Sequence, residues 1–340
     1  MKQTLFSQQL AAYFDVHLPD TRHCSENTIK SYGDAFALLY DYFSDKHGIP
    51  HYKIQYKDFT PQMLEEFILW LMRERSYSAA SIKARLSAIN SFLKYASRRE
   101  MAALSAFTAV AGTEKPKVAT KPFPYFTLEE MGILLRLPDI KKRTEKRDLV
   151  LLSVLYETAA RAQELCDLKV GDIRFGTTTK VKLFGKGKKT REIPIAQNVA
   201  DLLRYHFKTN KLDGKRDEPI FLSQLGGKMT TACVRNLVDK YVAKAKEKHP
   251  KLFQEHQYSP HSFRHSKAVH MVESETQLIY IRNFLGHASV QSTEVYARIG
   301  QTSLTKMLTE RGKSNVQTSK TVENNSVEKY PNFLERARRK

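Results

Sequence analysis

The sequence predicts a mainly α-helical protein with one small β-sheet, organised as two folded domains. Three observations carry this reading. Apolar residues recur at helical spacing along most of the chain, often just behind a Ser or Thr suited to capping. Only residues 180–195 read as strands. Between Ala111 and Phe126 the periodicity dissolves into a segment holding Pro116, Pro122 and Pro124, each of which disfavours helix at itself and at its predecessor. At 340 residues the chain has room for two or three domains of roughly 100–200 residues each.

The first hundred residues read as a bundle of four helices. One runs from about Leu5 to Leu18; a second follows Ser25 and stops at Gly48, a residue suited to a left-handed C-terminal cap. Thr60 caps a third, with Pro61 at its first position and Leu64, Phe67, Ile68, Leu71 and Met72 on one stripe. Ser78 opens the fourth, whose Ile82, Leu86, Ile89, Phe92, Leu93 and Ala96 face inward while Lys83, Arg85, Lys94 and Arg98 lie largely elsewhere. These helices define a domain at 1–110, followed by a linker at 111–126 whose Lys115, Lys117 and Lys121 can lie along a phosphate backbone.

A second domain, 127–312, opens with Thr127-x-x-Glu130, a capping-box pattern ahead of Met131, Ile133, Leu134 and Leu135. A helix rich in Leu and Val, Glu145 to Thr158, is expected to be buried on several sides. The strands Lys180–Phe184 and Thr190–Ile195 flank Gly185-Lys186-Gly187-Lys188-Lys189 as a hairpin. Helices resume near Asn198–Lys208, Thr230–Lys248, His261–Val272 and Thr276–Leu285, and a polar, basic tail occupies 313–340.

Lys and Arg number 56 against 36 Asp and Glu, a formal charge of +20, while 41% hydrophobic and 10% aromatic residues suffice for real cores. Such a folded cation suits a polyanionic partner, nucleic acid or an anionic membrane surface. No stretch approaches the roughly 20 apolar residues that span a bilayer, and residues 1–10 hold no signal-peptide core, so a cytoplasmic protein without a membrane partner is expected. Cys24, Cys166 and Cys233 are isolated, which argues against a disulfide framework or a thiolate zinc site.

Several local patterns invite chemistry. A helix starting at Pro260 would put His261, Arg264 and His265 on one face. A zinc pair is disfavoured, because Ser262 stands where a metalloprotease has glutamate and the intervening arginine repels a dication. Arginine beside histidine suits a phosphate better, although a solvated helix face explains the same residues. Lys186 between glycines matches no phosphate-cradling loop; it is either an exposed basic turn or a point-charge donor able to reach a groove. Gly226-Gly227-Lys228 fails the same test, and no Gly-x-Ser-x-Gly elbow exists.

Order makes these patterns specific. Tyr156 through Arg161 to Glu164 and Leu165, then Gly185-Lys186-Gly187, His261-x-x-Arg264-His265, Leu285-Gly286-His287 and finally Tyr296 resemble the tyrosine recombinases, the phage-integrase and Xer family, along essentially the whole chain. The spacings between Arg161, Lys186, His261, Arg264, His287 and Tyr296 are 25, 75, 3, 23 and 9 residues. Two departures stand out: Ala159 and Ala160 occupy positions where the family often has glycine, and Lys267 stands where a large apolar residue is commoner.

The resemblance implies a C-shaped DNA clamp of a helical, SAM-like core-binding domain and a catalytic domain, performing phosphoryl transfer with no metal and no cofactor. Tyr296 would attack the scissile phosphodiester to give a 3′-phosphotyrosyl enzyme, Arg161 and Arg264 would bind the non-bridging oxygens, and Lys186 would protonate the leaving 5′ oxygen. His261 would assist proton transfer at the nucleophile and His287 would hydrogen-bond the phosphate, with Glu164 and His265 supporting them. Lys83, Arg85, Lys94, Arg98, Lys115, Lys117, Lys121, Lys188 and Lys189 would contact DNA; with on the order of ten phosphates neutralised, binding would fall steeply with salt.

The implied partner is double-stranded DNA, engaged by a homo-oligomer that is a tetramer in the synaptic complex, with room for a partner recombinase or directionality factor. Gln301–Arg311 or Tyr330–Lys340 would dock into a neighbouring protomer. The role expected is integration, excision or transposition of a mobile element. Xer-like dimer resolution, strand-passage relaxation of the type IB topoisomerase kind, and a non-cleaving architectural DNA-binding protein are the alternatives.

Overall fold

In the computed structural model, which describes residues 3–117, 123–185, 190–224, 226–287 and 293–296, helix boundaries fall where side chains or left-handed turns satisfy the free ends of the backbone. The chain divides into two units, Met1–Lys121 and Pro122–Lys340.

In the first unit, α1 (Leu5–Ala12) is capped by Thr4 and widens into a π-helical stretch, Tyr13–Thr21, that accommodates Pro19. Next come α2 (Glu26–His47), capped by Ser25 and closed by Gly48 at φ +60°, and α3 (Pro61–Arg73), capped by Thr60. The stripe of α3 is rotated from its expected position: Met72 is 46% exposed and Trp70 is buried in its place. The indole packs against Tyr42 and Phe67, with Arg75 over its ring, so an aromatic site on α2 sets which edge of α3 turns inward. Helix α4 (Ala79–Ser97) buries the stripe read from its sequence, and Phe92 meets Phe6, Tyr13 and Phe36 at ring distances of 5.3–5.5 Å.

A fifth helix, α5 (Ala102–Gly112), was not legible as one and takes in the first two residues of the expected linker. Its inward positions are Ala103, Ala106 and Val110, so it packs by close approach of small side chains, with no large apolar stripe.

The second unit begins with the capping box at Thr127. Glu130 accepts from the Thr127 N–H at 2.9 Å and, with its other oxygen, from the Phe253 N–H at 2.6 Å. Behind this cap lie α6 (Leu128–Arg136) and then α7 (Arg143–Thr158), whose Val150, Leu151, Leu152, Val154 and Leu155 are all buried. The short α8 (Ala162–Cys166) leads to an antiparallel sheet of β1 (Ile173–Arg174), β2 (Lys180–Phe184) and β3 (Thr190–Pro194). The expected hairpin is present as β2 and β3, with Val181 opposite Ile193 and Leu183 opposite Arg191; the two-residue β1 is too short to show alternation in sequence.

Helices α9 (Gln197–Asn210), α10 (Thr231–Lys248), α11 (Pro260–Glu273) and α12 (Leu278–Leu285) complete the unit. Helix α11 packs against α7, α10 and α12. The Ser266 hydroxyl also accepts from the Phe126 N–H at 2.8 Å, tying the segment before α6 to α11. The hairpin tip from Lys186 to Lys189, Lys121, both candidate exchange segments and the 313–340 tail lie outside the described residues.

Ala159 ends α7 in the left-handed region, φ +47° and ψ +35°, fully buried. That conformation costs an L-residue about 1–2 kcal/mol. Glycine would relieve it but would lose a buried methyl, about 0.8 kcal/mol, and about 0.5–1 kcal/mol of backbone entropy. The terms offset, which explains how alanine serves here. Ala159→Gly is expected to leave unfolding free energy within about 1 kcal/mol of the parent, whereas Ala159→Val, overfilling the site, is expected to cost about 2–4 kcal/mol by thermal or denaturant melting. Equal melts for the valine variant would contradict the geometry.

His270 on α11, 5% exposed, joins the Tyr156 hydroxyl of α7 at 2.9 Å through Nδ1. Burial pushes its pKa down to about 4. An unfolded imidazole takes up its proton near pH 6.5, so this histidine's contribution to stability is complete above that pH and is lost as pH falls towards 4. The drop in melting midpoint between pH 7 and pH 5 should therefore be smaller in His270→Phe than in the parent, and an identical drop would overturn the assignment.

Candidate active site

Arg161 begins α8. Its main-chain N–H donates to Glu164 Oε2 at 2.9 Å and its guanidinium to Oε1 at 2.7 Å. Arg191 on β3 donates to the same two oxygens, Nη1 to Oε1 at 3.1 Å and Nη2 to Oε2 at 2.6 Å. Burial pushes the Glu164 carboxyl up, but the bonds from Arg191 and Arg161 prevail and hold it below the usual range, so it is a carboxylate. Arg161 keeps a side chain 35% exposed, with donors beyond those bonded to Glu164 that have no partner among the described residues.

Arg264 projects from α11 into the interior and is 3% exposed. One Nη donates to the Ala159 carbonyl at 2.7 Å and the other to the Leu285 carbonyl at 2.5 Å. Both acceptors lie at helix C-termini that end in left-handed residues, Ala159 and Gly286, where free carbonyls carry partial negative charge. Burial, then Arg161 and Arg191, lowers the Arg264 pKa to about 10, which leaves it charged at neutral pH. Two of its five N–H donors are used in these bonds.

Tyr296, 3% exposed, packs with Ala159, Ala268, Val269, Ile281 and Leu285. Its hydroxyl lies 2.9 Å from His265 Nδ1, and Phe123 stacks on the imidazole at 4.2 Å while meeting the phenol edge-on at 5.0 Å. Burial raises the Tyr296 pKa against the pull of Arg264 and Arg161. His265 is lowered to about 4, first by burial and then by His261, Arg264 and His287, so a neutral imidazole faces the phenol and can accept its proton.

The His287 ring stacks 6.3 Å from Tyr296 and its Nδ1 lies 3.1 Å from the Thr293 hydroxyl. Burial, then Arg264, Arg161 and Arg191, lowers its pKa to about 4. His261 is exposed as a residue, but its ring is partly enclosed, and that enclosure, then Arg264 and Arg161, lowers its pKa; the ring lies 6.2 Å from that of His265. Proton transfer at Tyr296 was expected of His261; the nitrogen 2.9 Å from the Tyr296 hydroxyl is that of His265, one turn further along α11.

The remaining expected residues are dispersed. Lys186, Lys188, Lys189 and Lys121 fall outside the described residues. Lys83, Lys94 and Arg98 are exposed and lie within about 60° of one another around α4 at 100° per residue; Arg85 points to the other side, half-buried with its guanidinium over the Tyr77 ring. Lys115 is half-buried and Lys117 exposed. Lys267 pairs with Glu157 of α7 at 2.9 Å, so its departure from an apolar residue adds an α7–α11 link. Among the described residues no His, Cys, Asp and Glu group is placed to hold a metal, and no helix is long and apolar enough to cross a membrane.

Arg191 and the His265–Tyr296 contact were missed by sequence reasoning. A signal existed for the first: Arg191 shares the inward face of β3 with Ile193, and a charge at an inward strand position requires a buried partner.

Comparison with known proteins finds matches across both units. Residues 11–100 match the phage integrase N-terminal SAM-like domain, and residues 125–302 match the phage integrase family. The tyrosine recombinase XerD of Staphylococcus epidermidis is 27% identical over 289 residues, covering 84% of this chain and 92% of that protein. Among solved structures, a XerH site-specific recombinase bound to a palindromic difH substrate aligns with TM-score 0.65 at 20% identity, covering 81% of this chain and 77% of that one. The Tn1549 transposon integrase in complex with circular intermediate DNA aligns with TM-score 0.63 at 17% identity, over 87% and 95%. With both family matches spanning the two units in order, the chain belongs to the phage integrase family and is a tyrosine recombinase, an enzyme that cleaves and rejoins DNA through a tyrosine intermediate.

Proposed function

We propose that Tyr296 is the nucleophile of a site-specific recombination reaction on duplex DNA. The observation that carries this assignment is the Tyr296 hydroxyl 2.9 Å from a neutral His265, in a cluster with Arg161 and Arg264. The phenolic oxygen bonds to the scissile phosphorus as the bond to the 5′ oxygen breaks. His265 takes the phenol proton, with His261 assisting from the preceding turn, and Lys186 protonates the leaving 5′ oxygen, which departs as a hydroxyl. Arg161, Arg264 and His287 bind the non-bridging oxygens as their charge redistributes, and Glu164 holds Arg161 in place. Rejoining reverses these steps from the 3′-phosphotyrosyl bond, so neither nucleotide nor metal takes part.

In this reading residues 1–110 form the core-binding domain, 111–126 the linker, and 127–312 the catalytic domain, with double-stranded DNA as the partner in a tetrameric synapse. Lys83, Lys94 and Arg98 share one exposed face suited to phosphates. Integration, excision or transposition of a mobile element is the favoured setting, supported by likeness to the Tn1549 transposon integrase. The alternative is a Xer-type role, resolving chromosome or plasmid dimers in the cytoplasm, supported by collinearity with 92% of the staphylococcal XerD.

Nicked suicide duplexes from the flanks of the gene's own element, and from chromosomal dimer-resolution sites, test both assignments. Covalent protein–DNA product on denaturing gels is expected with the parent chain and none with Tyr296→Phe. An adduct in the phenylalanine variant would remove Tyr296 from the mechanism, and the duplex that reacts decides the setting.

A further inference from the structure

Four hydrogen bonds converge on the Glu164 carboxylate, and each oxygen receives one from Arg161 and one from Arg191. A carboxylate has about four acceptor positions, so the pair of arginines fills them and fixes the plane of the group. Arg161 alone would leave half of these positions empty in a site where the Glu164 side chain is 5% exposed. Charge points the same way. With only Arg161 beside it, Glu164 would form a closed neutral pair; a second cation restores a net positive charge, which leaves the exposed side of Arg161 attractive to phosphate.

The Arg191 side chain is 9% exposed, too enclosed to meet DNA itself. It also lies beneath the turn that joins Leu285, which holds Arg264, to His287: a Cβ added at Gly286 would come within 3.3 Å of Arg191 Cδ. Buried ion clusters are weak sources of stability, since apolar replacements of equal volume often serve as well. A cluster of one acid and two arginines at this place therefore calls for a role in the reaction.

We propose that Arg191 is a positioning residue for DNA cleavage, acting through Glu164 to orient Arg161 and keep its charge available to the scissile phosphate. The inference rests on the assignment of Arg161 as a phosphate ligand. Lysine cannot substitute, because a single ammonium lacks the planar fork that engages both carboxylate oxygens.

The test uses the full chain and a nicked duplex selected from a random-sequence library by adduct formation with the parent protein. Single-turnover adduct rate and DNA Kd are measured separately. Arg191→Lys is expected to slow adduct formation about 100-fold, the usual cost of misplacing a reacting group by about 1 Å, while Kd stays within about threefold. In an Arg161→Ala background, where little remains to be positioned, the same change is expected to cost less than about threefold. A parental rate for Arg191→Lys, a defect confined to Kd, or an equal defect in both backgrounds would each overturn the proposal. If Arg191→Lys does not fold, Glu164→Gln enters the same cycle at the other end of the bond. Should Arg161→Ala alone cleave at the parental rate, the underlying assignment of Arg161 falls; loss there with an unaffected Arg191→Lys sinks only this inference.

Discussion

The buried guanidinium of Arg264 is the constraint on which the catalytic unit depends. It draws together α7, α11 and α12 by donating from α11 to the last carbonyls of the other two. Left-handed residues end both acceptor helices, and the following segments depart at once towards Arg161 and His287. The geometry of the site is thus inherited from two helix ends. A charge this enclosed is costly without partners, and the helix C-terminal carbonyls provide them while leaving donors for an anion.

Around that centre, acid and base groups are sorted by environment. Among the described residues the one carboxylate bonded directly to Arg161 and Arg191 is Glu164, whose charge is taken up by both and offers no repulsion to phosphate. His265 and His287 are held neutral by burial and neighbouring cations, which suits them to accept or donate a hydrogen bond without adding to an already cationic interior. The surplus of twenty charges over the whole chain is therefore a poor guide to the site. Few cations sit at its heart, and their effect depends on what each is bonded to.

Much of this was legible in sequence because the informative residues keep fixed order and spacing. Arg161, Arg264, His287 and Tyr296 stand in one chain order, and caps at Ser25, Thr60, Ser78 and Thr127 mark helix starts that the structure shares. What escaped notice depends on tertiary contacts. The rotation of α3 follows from an aromatic pocket on α2, and α5 packs through alanines whose small side chains leave no conspicuous stripe. The role of Arg191 was not read because its acid partner lies 27 positions earlier, outside any local pattern. The choice of His265 over His261 at the phenol turns on one helical turn, finer than pattern reading resolves.

On the proposed mechanism one buried arginine, Arg264, both holds three helices together and supplies donors to the scissile phosphate. Melting and cleavage of Arg264→Lys, measured side by side in the full chain, test it most directly. Losing charge-assisted bonds worth about 1.5–3 kcal/mol should lower the midpoint of the catalytic unit by several degrees, with adduct formation falling below detection. A variant that melts like the parent, or that still forms the adduct at the parental rate, would contradict the claim.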